Sequence, residues 1–237
     1  RRVLFRSLYG VEVLARWKHP KSGFIPPDVF IPIAERSGLI IPLTKGMMAK
    51  VVTQLKPLLP KLPDGFHIGV NISARHINAP SFLGDCRVFG NGFQGKEVKL
   101  VLEVTEREPL IDNPHLVENL NRLHNAGFVI ALDDFGTGYS GLSCLNALAI
   151  DYIKIDKSFV NRVSDEKDST ILLDCVIELA KKLSLRIVAE GVETKAQLEY
   201  LNRNEITLLQ GYYFGKPVSY IDFIKVILSK PRETVSL

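Results

Sequence analysis

Six hard-oxygen side chains and one lysine carry the chemical interest of this chain: Glu12, Asn71, Glu103, Asp133, Asp134 and Glu190, with Lys154. Carboxylate and amide oxygens select Mg²⁺ or Mn²⁺ over zinc. The five histidines, His19, His67, His76, His115 and His124, form no competing cluster of ligands. Adjacent carboxylates such as Asp133 and Asp134 repel unless a cation lies between them. One bridging carboxylate with several terminal ones is how two-metal sites are assembled, and such sites clamp both oxygens of a phosphoryl displacement. Lys154 adds a fixed positive charge, either to lower the pKa of a metal-bound water or to stabilise phosphorane charge. Glu190 is placed to accept a proton or to hold the second metal.

These residues recur at one position in the sequence pattern. Short apolar runs at 11–16, 68–73, 100–106, 129–134, 152–156, 187–193 and 208–214 each contain or end in such a group, the last being Gln210. A buried strand does not normally finish in carboxylates, because desolvating an unpaired charge costs several kcal/mol. Taken singly, a strand-end Asp or Glu is more often a helix cap, and Lys154 alone would be a snorkelling lysine. Seven strand ends together are explained if all converge on one polar site, as at the C-terminal rim of a parallel α/β barrel.

Amphipathic stretches alternate with the runs, the order that implies a parallel sheet. Helices are expected over 30–36, 44–59, 115–125, 169–183, 194–202 and 220–229. Asp112-Asn113-Pro114 opens the third and Gly127 closes it, start and stop signals in the expected order. In the fourth, Ile171, Leu172, Cys175, Val176, Leu179 and Leu183 are expected on the inner face. The Gly-rich stretch from Ser81 to Gly95 reads as a surface loop, and the stretch from Pro231 as a frayed tail.

At 237 residues the chain suits one barrel domain, close to the ~250 usual for that fold. A net charge of +4, dispersed along the chain, argues against polymeric nucleic acid as a partner. No apolar run reaches the roughly 18–20 residues that span a bilayer, so no membrane contact is expected of this domain. Cys86, Cys144 and Cys175 are odd in number and far apart; Cys144 and Cys175 are expected to be buried thiols, and the setting reducing and cytoplasmic. The start on Arg1-Arg2 rather than Met suggests a domain from a longer protein, which could itself be membrane-anchored.

Asp134-Phe135-Gly136 matches a kinase tripeptide, but no His-Arg-Asp catalytic loop accompanies it. Gly136-Thr137-Gly138 lacks the Lys-Ser/Thr of a P-loop, and reads better as a Gly-hinged loop over the site. The full set of motifs resembles the EAL domain, a family of bacterial phosphodiesterases specific for cyclic di-GMP. The resemblance rests on Glu12-Val13-Leu14-Ala15-Arg16-Trp17, Asn71-Ile72-Ser73, Glu103-Val104-Thr105-Glu106 and Asp133-Asp134-Phe135-Gly136-Thr137-Gly138-Tyr139-Ser140. Lys154-Ile155-Asp156, Glu190-Gly191-Val192-Glu193 and Gln210-Gly211-Tyr212 complete it, all in order from about Gly10 to Pro217.

That resemblance implies a modified TIM barrel, hydrolysis of c-di-GMP to linear pGpG, two Mg²⁺ or Mn²⁺ ions and a homodimer. By position, Glu12, Asn71, Glu103 and Asp133 would hold one ion; Asp133 would bridge, with Asp134 and Glu190 on the second. Lys154 would orient the attacking water, and Glu190 is also the candidate general base. Glu106 would pin the loop from Asp134 to Leu142. Arg16 would contact substrate phosphate, with Leu14, Asp156, Glu193 and Gln210 lining the site. Three departures stand out: Val13 replaces the namesake Ala, Gly141 replaces a Ser, and only eleven residues precede Glu12, none of them Gln. The family's first strand, which bears Tyr-Gln-Pro, is therefore missing here or partly replaced by 3–9. Other uses of the same barrel would be as a non-catalytic c-di-GMP receptor or a protein-interaction module.

Overall fold

The computed structural model describes residues 8–105, 112–136, 141–163 and 170–229. The chain enters on β1 (Gly10–Val13) and makes an antiparallel hairpin, β2 (Trp17–His19) and β3 (Gly23–Ile25). Helices α1 (Pro27–Ser37) and α2 (Ile40–Leu55) follow, then a 3₁₀ turn over Lys56–Lys61. Next come β4 (Phe66–Asn71), α3 (Ala74–Ile77), α4 (Phe82–Asn91), β5 (Val98–Thr105), α5 (Pro114–Asn125) and β6 (Val129–Phe135). Then α6 (Gly141–Ala147), β7 (Tyr152–Ile155), α7 (Lys157–Val160) and α8 (Ile171–Lys182) lead to β8 (Arg186–Ala189). Helix α9 (Lys195–Arg203), β9 (Leu208–Leu209) and α10 (Tyr220–Ser229) close the order.

Seven strands form one parallel sheet in the order β1-β4-β5-β6-β7-β8-β9, one for each apolar run of the sequence. Strand side chains alternate between two faces. The outer face, with Ile68, Leu102, Leu132 and Ile153 all fully buried, packs on the helices and makes the main core. The inner face forms a smaller cluster around Val101, Ala131 and Tyr152, with Val129, Val188 and Leu208 against it. The sheet curls until its two edges meet at the top, where the Gln210 amide after β9 donates to Glu12 on β1 at 2.8 Å. This is the modified (β/α)₈ architecture, with seven strands in its parallel sheet among the described residues. Residues 3–7 of the segment considered as a replacement first strand lie outside them.

Helix α5 shows how the sequence codes the outer layer. Asn113 caps it by accepting from the backbone N–H groups of His115 and Leu116, and Pro114 occupies the first turn. Leu116, Leu120 and Leu123 recur at helical spacing and are buried, each stabilising the fold by roughly 1.5–3 kcal/mol. Thr194 and Gln197 form a capping box at the start of α9.

Two sequence expectations are corrected. The stretch from Ser81 to Gly95 is mostly helix α4: Phe82, Cys86 and Phe89 repeat at i, i+4 and i+7 and are buried, and that apolar stripe outweighs the glycines. In α8 the inner face is Leu173, Ile177 and Ala180, while Ile171, Leu172 and Leu183 are exposed, and so is Cys175. Apolar residues on more than one side of this helix leave the choice of face to the neighbours, and these turn the small Ala180 inward. The cysteines give a direct check. Burial pushes the Cys86 thiol up to about 12, Cys144 is buried and Cys175 is open. An aromatic disulfide reagent should therefore modify Cys175 quickly in native protein, and the other two thiols only after unfolding.

No helix among the described residues is long and apolar enough to cross a membrane.

Candidate active site

Lys154 is the centre of the site. It points inward from β7 and is 3% exposed. Its ammonium lies 2.7 Å from Glu103, 2.8 Å from Glu190, 3.3 Å from Asp133 and 3.4 Å from Glu12. These carboxylates come from β5, the residue after β8, β6 and β1, so four separate strands aim at one cation. Asn71, at the end of β4, donates to the other oxygen of Glu12 at 2.9 Å. Glu12, Asn71, Glu103, Asp133, Lys154, Glu190 and Gln210 thus share one connected network at the strand C-termini.

The environment sorts these acids. Burial is the largest influence on each and raises it. For Glu103 burial wins over the pull of Lys154, and the carboxyl is pushed up to about 8. Glu190 is raised to about 7 and Asp133 is raised too, again by burial against Lys154. Glu12 goes the other way: the charge of Lys154 and hydrogen bonds from Gln210, Asn71 and Lys154 outweigh its burial, so its carboxyl sits below the usual value. Glu103 is deeper and has no such amide donors. The four neighbouring acids together hold Lys154 well above the ordinary lysine value, although its own burial acts downward.

One ammonium cannot neutralise four carboxylates, and burial, with a smaller contribution from their mutual repulsion, raises three of them. Glu12, Glu103 and Asp133 each offer an oxygen, and these lie within 4.8 Å of one another. All are hard ligands, with Glu103 and Asp133 buried. A divalent cation of the Mg²⁺ or Mn²⁺ class fits this donor set by charge and by ligand type.

Two local backbone features make the geometry possible. Between Leu132 and Phe135 the β6–β7 register slips by one residue, so that Asp133 and Asp134 together face the stretch holding Lys154. Asp134 takes a left-handed backbone (φ 53°), a conformation that Asp tolerates better than most residues, and its N–H donates to Asp133 at 2.9 Å. On β4, Gly69 leaves the space that Glu103 fills: a Cβ there would lie 2.1 Å from its Oε1. Neither the bulge nor the role of Gly69 was visible in the apolar pattern, which reports only that a residue is on a strand.

The remaining sequence candidates sit apart from this network. Arg16 is exposed and donates to the Ala15 carbonyl at 2.9 Å; Leu14 beside it is also exposed. Asp156 caps α7, accepting from the Ser158 N–H at 2.9 Å. The Glu193 side chain is exposed, while its backbone N–H donates to Gln197. Glu106 and residues 137–140 of the Gly-hinged loop lie outside the described residues.

Comparison with known proteins adds to this geometry. The EAL domain family model matches residues 3–217. The chain is 62% identical to the probable cyclic di-GMP phosphodiesterase PdeG of Escherichia coli K12 over 97% of its own length and 45% of the relative. It is 45% identical to the cyclic di-GMP phosphodiesterase PdeL of the same organism, over 92% of the chain and 60% of that relative. The chain thus spans about half the length of the curated relatives it matches. A solved structure of the PaMucR phosphodiesterase in complex with c-di-GMP superposes with a TM-score of 0.80 at 35% identity, covering 91% of this chain and 87% of that one.

Proposed function

Since the chain belongs to the EAL domain family, we propose that it hydrolyses cyclic di-GMP to linear pGpG. The observation that carries this reading is the convergence of Glu12, Glu103, Asp133 and Glu190 on Lys154, at the barrel end where such enzymes keep their chemistry. The names of the two E. coli relatives and of the PaMucR complex supply the substrate.

Glu12, Asn71, Glu103 and Asp133 would hold one Mg²⁺ or Mn²⁺ ion, with Asp133 shared and Asp134 and Glu190 holding a second. When bound, such a pair supplies Lewis acidity to the phosphodiester and stabilises charge on its attacking and leaving oxygens. The residues of the chain do the rest. Glu190, with its carboxyl near 7, is matched to accept a proton at neutral pH. Lys154 keeps its charge throughout and orients the attacking water. Gln210 and Asn71 fix the Glu12 carboxylate and, with the charge of Lys154, keep it ionised. Arg16, exposed after β1, would contact a substrate phosphate, and Leu14, Asp156 and Glu193 would line the substrate site.

The test is chromatographic. Incubated with c-di-GMP and Mg²⁺ or Mn²⁺, the protein should yield linear pGpG. Glu12→Ala, which removes a ligand and the anchor for two amides, should cut the rate by at least ~100-fold. Saturable c-di-GMP binding with no product from the parent protein would instead support the receptor reading.

A further inference from the structure

The opposite end of the barrel holds a second constellation, basic where the first is acidic. At the starts of β4, β5, β7 and β8, the inward positions are His67, Lys99, Tyr152 and Arg186. They line a cavity of about 490 Å³ together with Tyr9, Asp64 and Asp151. Arg186 donates to the Tyr152 hydroxyl at 2.7 Å, and its guanidinium lies 5.1 Å from the centre of the Tyr152 ring and 5.7 Å from that of Tyr9. The Tyr9 and Tyr152 hydroxyls are 3.4 Å apart, and the His67 ring stacks 4.3 Å from Tyr9. The Tyr152 hydroxyl and the two rings thus hold the guanidinium in the lining of the cavity.

The positive charge is not answered within the cluster. Among the described residues, neither Lys99 nor Arg186 has a carboxylate within ion-pair distance. The two acids that line the cavity are engaged elsewhere: Asp64 pairs with Lys96, while Asp151 accepts from the Ile130 N–H at 2.8 Å and meets His124 at 3.2 Å. His67 registers the imbalance. Burial, then Arg186, then Lys99 hold its imidazole down at about 4, so it is neutral at physiological pH and able to donate from one ring nitrogen.

We propose that this floor is a binding site for a phosphoryl group, held by the Arg186 guanidinium and the Lys99 ammonium, with His67 and the Tyr9 hydroxyl as further donors. A planar guanidinium beside a point charge suits a tetrahedral dianion. The group would also tie together the starts of β4, β5 and β8, the strands that lead to Asn71, Glu103 and Glu190. Free phosphate and the terminal phosphate of a nucleotide offer the same chemistry.

His67 is the reporter, because ligands bound at the acidic end do not touch it. With ¹³C,¹⁵N-labelled histidine and Mg²⁺ present, inorganic phosphate or guanosine 5′-monophosphate is titrated against sodium chloride at matched ionic strength. Saturable movement of the His67 ring signals, with its pKa rising by at least ~1 unit as the anion offsets the two cations, is expected. Tighter binding of the nucleotide would identify a nucleotide phosphate as the ligand, and equal affinity the free anion. Arg186→Gln should weaken the affinity on the order of tenfold or more. Lys99→Gln, at an exposed position, should weaken it in the same sense without threatening the fold. Signals that do not move, that move equally with chloride, or that respond unchanged in Lys99→Gln would overturn the site.

Discussion

Lys154→Met should reduce c-di-GMP turnover on the order of 10³-fold and lower the stability of the metal-free protein by about 3–5 kcal/mol. The second figure follows from leaving a buried ionic cluster without its cation. Glu12, Glu103, Asp133 and Glu190 all contact this ammonium, and Met fills its volume but not its charge. The acids can relieve themselves by taking up protons, so the loss should be small at pH 5 and full near pH 8. The two effects separate on adding Mg²⁺ or Mn²⁺. Divalent charge substitutes for the ammonium electrostatically, so thermal stability should return, whereas turnover should not, because the group proposed to orient the water is gone. Melting curves with and without metal, beside a product assay, decide the matter. Recovery of both would reduce Lys154 to a neutralising charge; recovery of neither would mean that the substitution disrupts the barrel itself.

How much of this was legible in the sequence depends on what each signal encodes. The seven strands were, because buried parallel strands are continuous apolar runs and their polar ends break that pattern abruptly. Glu12, Glu103, Asp133, Lys154 and Glu190 could be grouped on that basis alone. Their arrangement around Lys154 could not, since it depends on barrel curvature and on the bulge at Asp134. Helix faces were less legible. In α5, Leu116, Leu120 and Leu123 are separated mostly by polar residues, and only one face can be inside. In α8, Ile171, Leu172, Leu173, Val176 and Ile177 leave two candidate faces, and packing selects the one carrying Ala180. For α4, composition misled where spacing did not: Gly84 and Gly90 sit in a helix whose Phe82, Cys86 and Phe89 are almost wholly buried. The hairpin β2–β3 is short and exposed, with too few alternations to register as strands. The floor cluster leaves no signal in the sequence, because His67, Lys99, Tyr152 and Arg186 are dispersed along the chain and match no motif.

Glu103→Gln should do two opposite things: abolish activity and stabilise the metal-free protein at alkaline pH. Glu103 is 5% exposed, and its carboxyl is raised to about 8 from an ordinary 4.5. Below 4.5 the group is protonated in folded and unfolded chains alike, and costs nothing. Between 4.5 and 8 the unfolded chain gives up the proton while the folded chain keeps it. The folded state then binds more protons, so stability falls as pH rises, and the loss is complete above 8. Glutamine keeps the shape, can still accept from Lys154 and does not ionise. The variant should therefore match the parent near pH 4.5 and gain on it steadily to pH 8.5, by at most about 5 kcal/mol at 1.36 kcal/mol per pH unit. Urea unfolding in EDTA across that range measures the gain. Adding Mg²⁺ or Mn²⁺ should reverse the order, because the parent offers an anionic ligand where the variant offers an amide. A site retained for ion chemistry is expected to show this exchange of stability for function. A parent that stays more stable than Glu103→Gln at every pH without metal would mean that Lys154 alone satisfies the cluster, and that the acids serve the fold and not an ion.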